Sequence, residues 1–165
     1  MQDTFYLNNP EKVEVAPEML DLWARVHEYG HDTGSKGWGV KFDKEEAQKG
    51  LLRTHTTVNT IRHIAENPHV PSRVFGIGRV FRQETIDRTH LPEFHQIEGI
   101  IHEPDANLPM LISTLKTFYA KMGYPDVRVR PAYFPYTEPS VEVEVFWRGE
   151  WLELGGSGIF RPEVT

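Results

Sequence analysis

Cysteine is absent from the 165 residues, which excludes a disulfide framework and any cysteine-based zinc site. A chain without disulfides fits a reducing compartment. Long hydrophobic runs are missing too: no stretch approaches the roughly 18 apolar residues of a membrane span. The opening Met1-Gln2-Asp3-Thr4 has neither the basic patch nor the apolar run of a secretory leader. A soluble, cytoplasmic protein with no membrane partner is therefore expected. Nor is there a surplus of positive charge, since 18 Lys and Arg stand against 24 Asp and Glu for a net charge of −6. Phosphate neutralisation drives nucleic-acid binding, so strong binding of that kind by this chain alone is not expected. Internal repeats and low-complexity tracts are lacking. What is present suits one domain spanning 1–165, able to bury roughly 68–70% of its unfolded surface without staples. The 12% aromatic content is enough for a packed core or a stacking pocket.

Local signals predict alternating element types. Asp3 to Leu7 reads as a short strand. Pro17 opens a helix with an apolar stripe of Met19, Leu22, Trp23 and Val26, and Gly30 ends it. A loop with four glycines covers 30–43, and Asp43 with Glu46 resembles a capping box for a short helix. Leu51 to His55 reads as a strand. Thr56 or Thr57 caps a helix that stops before Pro68. Arg73 to Glu84 and Glu93 to Glu103 read as long strands. Asn107 to Met122 is a helix with Leu108, Leu111, Ile112, Leu115, Tyr119 and Met122 on one face, closed by Gly123. Val127 to Tyr133, Ser140 to Trp147 and Trp151 to Leu154 are further strands, with Arg148-Gly149 as a hairpin turn. The expected class is α+β, an antiparallel sheet flanked by helices.

Side chains alternate faces along a strand. Arg82 and Glu84 then share a face, as do Phe94, Gln96 and Glu98, and Arg53 and His55. Phe134, Tyr136 and Glu138 share one if that stretch stays extended. If these mixed rows converge they line a pocket, since burying them without partners is costly. Residue types alone leave other readings open. Arg82, Glu84, Gln96 and Glu98 also suit an exposed cross-strand ladder. Phe134 and Tyr136 suit a core, and His55 and His90 suit the surface. His90 and His95 lack a zinc-binding helical spacing. Gly76-Ile77-Gly78 sits within a strand and is no dinucleotide fingerprint. Glu142 and Glu144 read as the solvated face of a strand whose other face is Val141, Val143 and Val145.

The order of short motifs narrows this. Phe81-Arg82-Gln83-Glu84, followed by Thr89-His90-Leu91-Pro92-Glu93-Phe94-His95-Gln96, resembles motif 2 of class II aminoacyl-tRNA synthetases. The match is closest to phenylalanyl-tRNA synthetase alpha chains of archaeal and eukaryotic type. Met1 to Leu7 resembles the segment after motif 1 in that family. Leu51-Leu52-Arg53-Thr54-His55-Thr56-Thr57 resembles its strand-to-helix segment touching amino acid and ATP. Phe134-Pro135-Tyr136-Thr137-Glu138-Pro139-Ser140 resembles its phenylalanine-pocket signature. Gly155-Gly156-Ser157-Gly158 and Phe160-Arg161-Pro162-Glu163-Val164 resemble its later signatures. Motif 1 and motif 3 have no counterpart in the 165 residues, so the expectation is a partial catalytic core of a larger polypeptide.

The resemblance implies an ATP- and Mg²⁺-dependent phenylalanine-tRNA ligase, with tRNA(Phe) and a beta subunit as partners. It implies that Arg82 holds the α-phosphate as the catalytic residue, Glu84 reads adenine, His90 lies near the β-phosphate and Phe94 stacks on adenine. His55, Thr57, Gln96, Glu98, Phe134, Tyr136 and Gly156 would contact phenylalanine, Glu98 meeting its ammonium. Glu142 is the magnesium candidate. A synthetase-like module that binds nucleotide or amino acid without turnover is the alternative. A phosphoseryl-type substrate would want basic groups where Phe134 and Tyr136 stand. Strand edges uncovered by truncation would allow a homodimer.

Overall fold

The structure, a computed structural model, describes residues 4–165. The resemblance seen in Met1 to Asp3 and the start of the first expected strand lie outside the described residues. The chain divides into two compact units, one running to His102 and the other spanning Glu103–Thr165. The α+β class holds, with three α-helices and five strands among the described residues. The strands form two antiparallel sheets, one in each unit.

In the first unit, helix α1 (Pro17–Tyr29) starts at its proline and ends at Gly30, whose φ of 80° is open to glycine at little cost. Leu20 is its buried residue, whereas Met19 and Trp23 of the expected stripe are exposed. The inward face is therefore rotated from the one read off the sequence. His27 also faces inward, because the glycine-rich loop folds back onto the end of the helix. Trp38 N–H donates to the His27 carbonyl at 2.8 Å, and the two rings stack with centroids 5.1 Å apart. Asp43 accepts from the Glu45 and Glu46 amides at 2.9 and 3.1 Å, half of the expected box. Glu46 does not complete it in the expected manner; its carboxylate accepts from Tyr6 Oη at 2.6 Å and Lys49 Nζ at 2.5 Å. Only a 3₁₀ turn, Glu46–Gln48, forms.

The expected strand at Leu51–His55 is reduced to one bridge, Tyr6 to Leu51. Helix α2 (Thr57–Glu66) follows as expected. Strands β1 (Ser72–Phe81) and β2 (Glu93–His102) pair in unbroken register from Ser72↔His102 to Phe81↔Glu93. β1 stops short of the expected Glu84. Arg82 N–H reaches the Pro92 carbonyl at 3.0 Å, but Pro92 has no N–H to return, so the ladder cannot extend. One face of this ribbon carries Val80, fully buried, with Phe94, Gln96 and Glu98, and α2 contacts both strands. The other face leaves Phe75 and Ile77 exposed.

In the second unit, helix α3 (Leu108–Lys121) is capped by Asn107, whose Oδ1 accepts from Met110 N–H at 2.9 Å. Its expected stripe is half-buried from Leu108 to Tyr119, but Met122 falls past the last turn and is exposed. Strands β3 (Val127–Phe134), β4 (Thr137–Trp147) and β5 (Glu150–Phe160) form the second sheet, with β4 central. Arg148 and Gly149 both take positive φ, 52° and 91°, as a type I′ hairpin turn requires. β5 runs well past the expected Leu154, through the glycines to Phe160.

Val141, Val143 and Val145 are the buried core of β4. The opposite face is not simply solvated. Glu144 is buried too, because Arg128 Nε and Arg130 Nε lie 2.6 and 3.1 Å from its carboxylate. Arg128 in turn lies over the Trp151 ring at 4.4 Å. Arg128's hydrogen bond is the main cause holding the Glu144 carboxyl below its ordinary value of 4.5. Folding therefore favours the ionised form. The stabilisation is present above about pH 4.5 and is lost as pH falls through the folded value. Glu144→Gln is expected to flatten the melting-temperature profile below that pH while lowering stability at neutral pH. Thermal melts between pH 3 and pH 7 measure this.

Candidate nucleotide and amino-acid site

The candidate face of the first unit is built where the start of α2 meets β2. Thr56 precedes the helix, yet its hydroxyl makes no capping bond. It turns to β2, where Thr56 N–H donates to Gln96 Oε1 at 2.8 Å. Its Oγ1 lies 3.2 Å from Gln96 Oε1 and 3.3 Å from Glu98 Oε2. Thr57 donates to Glu98 Oε2 at 2.6 Å and Thr60 to Oε1 at 2.8 Å. A carboxylate on a strand face is costly to desolvate; here the hydroxyls of Thr56, Thr57 and Thr60, at the start of α2, receive it. The Thr56 N–H can only meet an oxygen, so it fixes which end of the Gln96 amide is the carbonyl. The amide NH₂ is then the end available to a ligand.

Arg82 anchors the other end of this face. Its Nε donates to the Thr54 carbonyl at 3.2 Å, and its guanidinium sits 5.1 Å above the Phe94 ring. Glu84 Oε1 is 3.8 Å from Arg82 Nη1. Both residues lie beyond the end of β1, so the expected shared strand face does not exist, and their ion pair brings them together instead. Arg53 and His55 likewise lie outside any strand. Arg53 reaches back to the Arg79 carbonyl at 2.7 Å. His55 is held below the ordinary imidazole range, chiefly by burial and then by Arg82, with Glu98 opposing.

The loop between β1 and β2 closes on Asp87. Its Oδ1 accepts from Thr89 N–H at 2.7 Å, Thr89 Oγ1 at 2.9 Å and His90 N–H at 2.9 Å. The His90 ring places Nδ1 2.9 Å from Asp87 and Nε2 3.7 Å from Glu84 Oε2. These donors, the Thr89 amide first, hold the Asp87 carboxyl well below the usual carboxylate range.

In the second unit, Phe134 and Tyr136 are joined by a tight turn, with Phe134 paired to Thr137 across it. The stretch is not extended, so the parity argument for Phe134, Tyr136 and Glu138 fails. The turn nonetheless stacks the two rings, with centroids 6.2 Å apart and planes inclined by 25°. Phe134 also lies on Gly156, where an added Cβ would sit 2.2 Å from Cζ. Gly156 thus seats this chain's own ring, and any side chain there would displace it. Glu142 lies 3.5 Å from Arg130 Nη2. Among the described residues no group of three or more His, Asp or Glu side chains could hold a metal.

A motif 2-like segment thus places Arg82 and Glu84 just past the end of β1, with Phe94 and Gln96 on β2. The family model described as tRNA synthetases class II core domain (F) matches residues 1–165. The chain belongs to the class II tRNA synthetase core domain family. It is 52% identical over 166 residues to the phenylalanine–tRNA ligase alpha subunit of Archaeoglobus fulgidus, covering 100% of this chain and 35% of that protein. Identity to the alpha subunit of Methanopyrus kandleri is 52% over 167 residues, covering 99% of this chain and 32% of that protein. Against the alpha subunit of Methanoculleus marisnigri it is 53% over 166 residues, covering 100% and 34%. The chain thus spans about a third of the length of these curated relatives.

Sequence reasoning missed Thr60, Asp87 and the role of Thr56. The signal for the first was the spacing Thr56-Thr57-x-x-Thr60, which places three hydroxyls along the start of one helix. Asp87-x-Thr89-His90 carried the mark of an aspartate turn. Asp87→Ala is expected to speed amide exchange at Thr89 and His90 while leaving the β1–β2 ladder protected. Hydrogen exchange resolved by residue reads both.

Proposed function

We propose that this chain is the part of a phenylalanine–tRNA ligase alpha subunit that activates phenylalanine with ATP, for later transfer to tRNA(Phe). The observation that carries the reading is the pairing of a threonine-held Glu98 with a Gln96 amide whose carbonyl end is held by Thr56, beside an arginine stacked on Phe94. Such a face offers a negative acceptor and a neutral donor to an amino acid, and a fixed positive charge to a phosphate.

In this reading Glu98 takes the substrate ammonium, with Gln96, Thr57 and His55 around it. The neutral form favoured at His55 avoids a second positive charge beside that ammonium. Arg82 holds the α-phosphate. Its planar fork makes two hydrogen bonds where a lysine would offer a point charge. Glu84 reads the adenine amino group, and Phe94 stacks on the ring with the face that Arg82 leaves open. His90, steadied by Asp87, serves the β-phosphate. The substrate carboxylate attacks the α-phosphorus and pyrophosphate leaves. No protein nucleophile is required, because positioning and charge stabilisation carry such a step. In the second unit the Phe134–Tyr136 pair, which the family signature implies for phenylalanine, is of the aromatic kind that adds about 0.5–1.5 kcal/mol beyond burial.

Class II synthetases use ATP and Mg²⁺ generally. Glu142 is the carboxylate proposed to help hold the metal, with Arg130 Nη2 3.5 Å away. A beta subunit is the partner suggested by the relatives' names. In the complete enzyme Arg82→Ala is expected to abolish phenylalanine-dependent pyrophosphate exchange while phenylalanine still binds by calorimetry. Near-normal exchange would contradict the reading. A wild type that binds ATP and phenylalanine without exchange would instead mark a non-catalytic module.

A further inference from the structure

We propose that Thr60 is a positioning residue for substrate recognition, fixing the direction in which the Glu98 carboxylate meets the ammonium group. The inference rests on the amino-acid reading of Glu98 given above and adds a residue that does not itself touch substrate.

An ionised carboxylate has about four lone-pair sites. Thr57 occupies one on Oε2 at 2.6 Å and Thr60 one on Oε1 at 2.8 Å. Thr56 has a single hydroxyl proton, and its two contacts, 3.2 Å to Gln96 and 3.3 Å to Glu98, share it. Thr57 and Thr60 are therefore the firm tethers, one on each oxygen. A glutamate on a strand otherwise keeps considerable rotamer freedom. With both oxygens tied to one helix, its carboxylate plane is set and one side is left for an incoming donor.

The two tethers are not equivalent. Thr57 is half-buried at the first residue of α2, whereas Thr60 is buried at 8% exposure, one helical turn further along. Thr60 thus holds Oε1 from behind and stays in place when a ligand competes for Thr57. Hydrogen bonds to a charged group are stronger than neutral ones, so losing this one has a measurable effect. Valine is nearly isosteric with threonine and keeps the branched side chain, so Thr60→Val removes the hydroxyl and little else.

The test is steady-state pyrophosphate exchange by the complete enzyme, comparing wild type with T60V, T60S and E98Q. T60V is expected to raise KM for phenylalanine about tenfold, with KM for ATP and kcat within about twofold. T60S, which keeps the hydroxyl, is expected to recover most of the loss. Inhibition by 3-phenylpropionate, which lacks the ammonium, is expected to be the same in T60V and wild type. E98Q supplies the reference and should impair the phenylalanine KM more than T60V does. Normal phenylalanine dependence in E98Q would overturn the amino-acid reading and this inference together. Impairment in E98Q with normal dependence in T60V would overturn the inference alone. So would a T60V defect that affects ATP and phenylalanine alike, or one that T60S fails to rescue, since either marks a structural role only.

Discussion

A carboxylate tied down by hydroxyls is the constraint on which the first unit depends. Glu98 sits on a β-strand face that α2 covers, and desolvating its charge without donors would be costly. Thr57 and Thr60 meet it from α2, and Thr56 from the residue before. The junction between helix and ribbon is therefore largely polar, and it joins elements about forty residues apart in sequence. Thr56 also orients Gln96 through its amide. Because Gln96 and Glu98 stand in register with Gly78 and Gly76, no bulky side chain opposes them on β1. The Arg53 side chain uses the space over Gly78. Phe94, two residues before Gln96, carries Arg82 over its ring. One strand thus lines up the aromatic, amide and carboxylate groups at the pleat spacing.

The second unit solves a similar problem by different means. Glu144 is buried on the central strand, and two arginines from β3 neutralise it where the first unit uses hydroxyls. The aromatic pair depends on backbone geometry. A tight turn at Pro135-Tyr136 brings two rings together, and the missing side chain at Gly156 lets Phe134 lie against β5.

What could be read from the sequence was whatever depends on near neighbours. Pro17, Gly30, Asn107 and Arg148-Gly149 act within a few residues, and the elements they punctuate form where expected. The alternation Phe94, Gln96, Glu98 also held, because β2 is regular along that stretch. Errors arose where a distant partner decides. β1 ends at Phe81 because Pro92, on the other side of the loop, cannot donate. Glu144 is buried because Arg128 and Arg130 stand opposite; the alternation Val127-Arg128-Val129-Arg130 against Glu142-Val143-Glu144 carried that signal, but only once register is known. Family motifs named the residues of the candidate site but not their supports. Thr60 and Asp87 touch named residues and would have needed helix spacing and turn chemistry to be found.

The central claim is that the hydroxyl-held Glu98 receives an amino acid's ammonium while Arg82 takes the α-phosphate. Its most direct test is a crystal structure with a non-hydrolysable phenylalanyl-adenylate analogue. The account predicts the ammonium within hydrogen-bond distance of Glu98, with Thr60 still donating to Oε1 and Arg82 on the phosphate-mimicking group. An analogue bound with its ammonium away from Glu98, or with Arg82 still turned to Glu84, would contradict it.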